Sequence, residues 1–387
     1  MPFPPGPRFP FPRRSLLGAA LAAGLWPRPS AAQDTIRVRD LLGREVVLPR
    51  PARRVVLGAG RHLGVLNLLH PDPASLVVGW SDDLRGGQAG EYDAFRRRFP
   101  ALDSVPVLAH GNEPMHAENV LALRPDLVLL TRTAALDGRL QPTTPGAPPA
   151  PPGNLMRTLD AAGIPVAVID FFQQPLTDTR PSIALLGRLL GREEQADAFL
   201  AFYTRHLQRL QALHPPDQPS VFMHAHAGGL DCCYSPGRGT FDDFIRLAGG
   251  HNIGADKLPG VVGQLGLEYV LTANPAVYIA TGGPYGGRGG VSLGDGVAET
   301  AARDSLAQEL ERQHLDGLAA VRAGRAHALW HGFNDSPAHL IAIEVMARWL
   351  HPALTGDIDP GATLAELNKR FAAVPMQGTY WVDLARA

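Results

Sequence analysis

Fourteen histidines in 387 residues are the first hint of site chemistry. His224-Ala225-His226 places two imidazoles on one face of an extended segment, because strand side chains repeat every two residues. With His331, and His339 as a further donor, they form a candidate site for a transition metal ion. The spacing lacks the specificity of a Cys-x-x-Cys or His-Glu-x-x-His motif, so polar histidines that ligate no metal are the preferred reading. Arg61 and Arg132 suit an anionic chelate, since guanidinium makes charge-assisted hydrogen bonds to carboxylate or catecholate oxygens. Trp80, Tyr234 and Tyr285 offer flat faces to an extended organic ligand. His62, His110 and Asn334 complete the candidate binding set, with Asp82, Asp83 and Phe333 beside them. In His331-Gly332-Phe333-Asn334-Asp335-Ser336, Asp335 or Ser336 reads as a helix N-cap.

No catalytic residue is assigned. The chain has no Gly-x-Gly-x-x-Gly opening a first βα unit, no Gly-x-Ser-x-Gly elbow and no Walker loop. The glycine-rich run at 282–290 follows a strand in the second half and reads as a flexible loop lining a cleft.

The candidates follow short apolar runs, and ligands of open α/β sheets sit beyond the C-terminal ends of strands. Strands are expected at 54–58, 75–80, 127–130 and 166–170, then at 220–225, 276–281 and 326–330, alternating with amphipathic stretches. The fold class is therefore α/β, with two Rossmann-like lobes and a ligand cleft between them. From Pro181 to Leu213 an apolar stripe runs through Ile183, Leu186, Leu190, Ala196, Leu200, Tyr203, Leu207 and Leu210, at steps of three, four or six. It predicts one long connecting helix, about 45 Å at 1.5 Å per residue, stopped by Pro215-Pro216. Six prolines between 142 and 152 mark an insertion of irregular structure in the first lobe. The expected organisation is a signal segment at 1–32, a first lobe at 34–175 with the insertion at 141–153, a connecting helix at 176–214 and a second lobe at 218–387.

Composition narrows the class. Hydrophobic residues make up 45% and charged residues 19%, as in a folded globular chain. Lys plus Arg number 36 against 37 Asp plus Glu, so nothing points to nucleic acid. Arg13-Arg14-Ser15-Leu16-Leu17 opens an apolar run to Trp26 that ends in Ser30-Ala31-Ala32. This reads as a twin-arginine export signal cleaved near Ala32, and the run is about half the length of a bilayer span. Its removal takes four arginines and no acid, leaving a soluble, mildly acidic chain expected to diffuse in the periplasm as a monomer. Cys232 and Cys233 are adjacent, and neighbouring Cα atoms at about 3.8 Å are closer than a disulfide prefers, so free thiols are expected over a strained vicinal disulfide.

One stretch occurs twice. Glu118-Asn119-Val120-Leu121-Ala122-Leu123-Arg124-Pro125 recurs as Glu268-Tyr269-Val270-Leu271-Thr272-Ala273-Asn274-Pro275, each leading into an apolar strand. Taken alone, the two glutamates read equally as solvated charges near helix N-termini.

The run from Asp40 to Pro49 followed by Arg54-Val55-Val56-Leu57, the segment from Leu121 to Val128, Gly249-Gly250-His251-Asn252-Ile253, the Glu268 repeat and the run from Leu318 to Ala326 together resemble a family. It is the periplasmic binding proteins that serve ABC importers of ferric siderophores, haem and cobalamin. The resemblance spans about Asp34 to Phe371. It implies two lobes bridged by helix, with an Fe(III) chelate, a ferric siderophore first, carried between them and no cofactor required. It also implies a membrane permease as partner, docked through one glutamate on each lobe at the positions of Glu118 and Glu268. A free transition metal, haem or cobalamin is the alternative cargo, and an exported metal-dependent enzyme the alternative class.

Overall fold

A computed structural model describes residues 1–6, 35–111, 113–138, 151–283 and 289–384. The chain divides into two compact units, Met1–Asp34 and Thr35–Ala387. Most of the expected signal segment, most of the proline-rich insertion and Tyr285 lie outside the described residues. Among the described residues, no helix is long and apolar enough to cross a membrane.

A hairpin of β1 (Ile36–Arg39) and β2 (Glu45–Leu48) precedes the first sheet. That sheet contains β3 (Val55–Leu57), β4 (Val77–Ser81), β5 (Val107–Ala109), β6 (Leu127–Leu130) and β7 (Val166–Val168). Its strands are all parallel, in the order β5-β4-β3-β6-β7. Every residue of β3, β6 and β7 is buried, which is why these strands read as continuous apolar runs rather than alternating ones.

The second half begins with β8 (Ser220–His224), and β9 (Tyr234–Pro236) later pairs with β11 (Val262–Gln264) beyond β10 (His251–Asn252). It continues through β12 (Val277–Gly282), β13 (Gly294–Asp295) and β14 (Ala326–Trp330), and β15 (Gly378–Thr379) pairs back with β13 before β16 (Trp381–Asp383). The second sheet has the order β10-β8-β12-β14-β16, parallel except for β16. The seven strands anticipated from sequence all form, two with the expected bounds and the others with ends shifted by at most two residues.

The repeat is a structural unit in both lobes. Glu118 sits in the first turn of helix Ala117–Ala122 and Glu268 in the first turn of helix Leu267–Ala273. Val120 and Val270 are both fully buried. Arg124 and Asn274 then both take left-handed backbone, at φ 47° and 41°, before a proline and strand β6 or β12.

The connector differs from the single helix expected. It is two helices, Pro175–Leu190 and Glu193–Gln211, separated at Gly191, which caps the first with φ 63°. A left-handed residue ends the helical hydrogen-bond ladder, and glycine adopts that conformation without the Cβ penalty. Cys232 and Cys233 also differ from expectation: their sulfurs are bonded to each other, and Cys233 is fully buried.

Candidate functional site

Strand order locates the site. In the first sheet the chain runs one way from β3 to β5 and the other way from β6 to β7, so the order reverses between β3 and β6. In the second it reverses between β8 and β12. Crevices beyond the strand ends at such points are where open α/β sheets bind ligands.

Beyond β3 lies Gly58-Ala59-Gly60-Arg61-His62. A side chain at Gly60 would meet the Ser81 carbonyl at 2.2 Å, so only glycine lets this turn press against the end of β4. Asp83 fixes the turn by accepting from the Gly60 N–H at 2.5 Å and from Arg61 Nη1 at 2.5 Å. The remaining edge of the guanidinium crosses to the second lobe, where Arg61 Nε donates to Asp335 Oδ2. His62 is fully buried behind it, with Nε2 3.9 Å from Asp335 Oδ1. Burial opposes the charge on Asp335, but Arg61 and then His62 outweigh it and hold the carboxyl well below the usual carboxylate range. Burial likewise disfavours the Arg61 cation, and Asp335 and Asp83 more than compensate.

In the second lobe, two histidines pack together. The strand ends at His224, and His226 takes left-handed backbone at φ 53°, so the two imidazoles do not share the strand face expected of them. The His226 N–H donates to Thr281 Oγ1 at 2.9 Å, and its ring lies 3.7 Å, centroid to centroid, from that of His331. His331 Nδ1 is 2.8 Å from Thr281 Oγ1, Asn334 Nδ2 is 3.2 Å from His331 Nε2, and Phe241 closes the edge. Burial first, then the fields of His226 and Arg61, keep the His331 imidazole neutral. Two imidazoles and an amide thus lie together beyond the strand ends of the second lobe, with the Arg61 charge near enough to reach His331, a set suited to oxygen-rich anions.

The other candidates lie elsewhere. His224 is buried against Phe222 and hydrogen-bonded to Tyr278 Oη at 3.0 Å. It is therefore not grouped with His226 and His331 around a shared centre, and among the described residues no cluster of three or more His, Cys, Asp or Glu is arranged to hold a metal ion. Arg132 is engaged by Asp178 through two bonds of 2.9 and 3.1 Å and by the Leu41 carbonyl, which makes it a brace between the first lobe and the helix Pro175–Leu190. Trp80 is a core residue against Tyr92. His110 is exposed and pairs with Asp82 at 2.6 Å, which raises its pKa above the ordinary histidine value. His339 is fully buried beside Tyr203, 2.7 Å away. The Tyr234 carbonyl accepts from the Ala225 N–H at 2.7 Å and closes the loop that carries His226. Glu118 and Glu268 are both exposed. Asp335, read from sequence as a cap, is the residue that sequence reasoning misplaced, since its partner lies 274 positions away.

Residues 69–330 match the Periplasmic binding protein family, about two thirds of the chain. The chain belongs to that family. Among solved structures, the TroA-like periplasmic binding protein FepB from Veillonella parvula superposes with a TM-score of 0.79 at 25% identity, over 90% of this chain and 100% of that one. Two further structures share the fold at 18% identity. Molybdate-bound MolA from Haemophilus influenzae gives a TM-score of 0.62 over 87% and 97% of the two chains, and a periplasmic haem-binding protein from Pseudomonas aeruginosa gives 0.54 over 86% and 98%. No curated protein matches the sequence. Membership makes this a solute-binding component of an ABC transporter rather than an enzyme, and binding proteins of this kind work with a membrane permease.

Proposed function

We propose that this periplasmic binding protein captures an Fe(III) chelate, a ferric siderophore first, and delivers it to an inner-membrane permease. The observation that carries the reading is the His226–His331 pair with the Asn334 amide beyond the strand ends of the second lobe, and an Arg61 charge close enough to act on His331. Iron chelates present carboxylate, catecholate or hydroxamate oxygens, which such donors recognise. A structure of an Fe3+-hydroxamate transport system from Saccharomonospora viridis has the same fold, at 20% identity and a TM-score of 0.54. Arg13 and Arg14 support export by the twin-arginine route. Glu118 and Glu268, exposed at equivalent places in the two lobes, form a two-point dock for cationic residues of the permease.

Native mass spectrometry with elemental analysis, on protein isolated from its own periplasm, tests the cargo. An iron-bearing organic adduct supports the chelate reading. A bare metal ion, a haem, a cobalamin or an oxyanion overturns it.

A further inference from the structure

The Arg61 guanidinium is already occupied by carboxylates on both of its edges. A guanidinium can hold an oxyanion through paired N–H donors along two edges, Nε with Nη2 and Nη1 with Nη2. Asp335 holds Nε and Asp83 holds Nη1, so each edge has one donor taken. The two acids are not equally fixed. Asp83 also accepts from the backbone N–H of Gly60 at 2.5 Å and of Arg61 at 3.4 Å, all within the first lobe. Asp335 comes from the second lobe and reaches Arg61 through Nε. A further partner stands beside it, since His62 Nε2 lies 3.9 Å from its other oxygen. Asp335 also ends the helical turn His331–Asp335, which carries His331 and Asn334. In this state the guanidinium therefore ties down the turn that presents the second lobe's candidate ligand groups.

We propose that Asp335 is a specificity-determining residue, an internal competitor that occupies Arg61 until an anionic group of the ligand displaces it, a proposal that rests on the solute-binding reading above. Of the two carboxylates it is the one that can leave, because Asp83 is bound into the Gly60 turn and Asp335 is not. On exchange, ligand oxygens take the Nε–Nη2 edge, Asp335 passes to His62, and the turn His331–Asp335 is free to settle around the ligand. Exchange is favoured over simple addition. The Asp335 charge already raises the Asp170 carboxyl, second only to burial, so a further anion added beside Asp335 meets repulsion that its departure removes. Asp335 thereby sets a threshold: a group that offers two oxygens to one edge gains more than the carboxylate it displaces, and a neutral group gains nothing.

Asp335→Asn on the full chain tests this, with Asp335→Ser repeating the charge loss in a smaller side chain. Two chelates are titrated by tryptophan fluorescence: the trianionic Fe(III) tris-catecholate complex and the neutral Fe(III) complex of N-acetyl desferrioxamine B. Loss of the competitor should tighten the trianion about tenfold and leave the neutral chelate unchanged. Independently of any chelate, sodium phosphate should raise the Tm of Asp335→Asn over NaCl at equal ionic strength by about 2 °C more than it raises that of the wild type. A merely structural role for Asp335 would lower stability and anion response together. Asp83→Asn is the control, since it removes the same charge but also the acceptor that fixes the turn, and it should tighten neither probe. An extra phosphate response with neither chelate bound supports the competitor and removes the chelate cargo. Unchanged or weaker anion binding in Asp335→Asn, or equal tightening in Asp83→Asn, overturns the competitor while leaving the chelate reading standing.

Discussion

Replacing Asp335 by Asn removes the charge that draws Arg61 across the cleft while keeping the side chain's shape. Removing one partner of a buried ion pair costs about 3–5 kcal/mol when the other charge is left alone. Here Arg61 keeps Asp83, and 34% of its side-chain surface is exposed, so solvent screening brings the expected loss to about 1–2 kcal/mol. Urea unfolding at neutral pH measures it as a lower midpoint with unchanged slope. The pH dependence is a second readout. The Asp335 carboxyl titrates below its unfolded value of about 3.9, so its contribution is complete above that pH and fades as acid protonates it. The gap between wild type and Asp335→Asn should therefore be constant from about pH 5 to 8 and shrink below about pH 4. Equal midpoints at neutral pH would refute the reasoning, as would a gap that widens in acid.

Glu118→Lys or Glu268→Lys should reduce uptake at least about tenfold while leaving ligand affinity unchanged, since both side chains are exposed at helix starts; transport assays paired with direct binding check this. Gly191→Ala should cost about 1–2 kcal/mol in urea, because φ 63° strains a residue with a Cβ and that Cβ would meet Pro51 at 2.8 Å. His224 should stay neutral until about pH 4, since burial, then Arg312 and His226, disfavour its cation. Its folded pKa lies below the unfolded value of about 6.5, so it lowers stability as pH falls from 6.5 towards 4. An NMR titration with a midpoint near the ordinary histidine value would contradict that placement.

The strands were legible because parallel strands buried on both faces leave unbroken apolar runs, such as Leu127–Leu130 and Val166–Val168. Short edge elements such as Val107–Ala109 lack that signature, and half-buried positions there give no clear period. The connector carried its own correction. Its apolar stripe steps by six between Leu190 and Ala196, out of phase with a single helix, and the break falls at Gly191 inside that step. Site residues were harder. Arg61 and His331 could be found from their place after a strand, but the same rule selected Arg132, which Asp178 engages, and Trp80, which packs into the core. His226 was chosen for a strand periodicity that stops two residues earlier. Asp335 carried no local signal, because its partners Arg61 and His62 come from the opposite lobe.

How far the lobes can part follows from what fastens them. The helix Pro175–Leu190 is tied to the first lobe, where the Ala52 N–H donates to the Leu189 carbonyl at 2.8 Å. The helix Glu193–Gln211 is tied to the second, through Tyr203 on His339 and His206 on Glu344 at 2.7 Å each. Between these anchors the C-terminal segment reaches back to the first lobe: Asn67 donates to the Val374 carbonyl at 2.9 Å and accepts from its N–H at 2.7 Å. The Arg61–Asp335 pair and the approach of Gly90 to Asp295 add two more fastenings across the cleft. A wide hinge motion would have to break buried hydrogen bonds at Asn67 along with the ion pair, so occupancy should be signalled by small rotations about the helical connector. Small-angle scattering of the ligand-free and ligand-saturated protein should then give radii of gyration within about 1 Å of each other. A larger contraction on binding would mean that the Asn67 contacts open, and that the connector is a hinge rather than a strut.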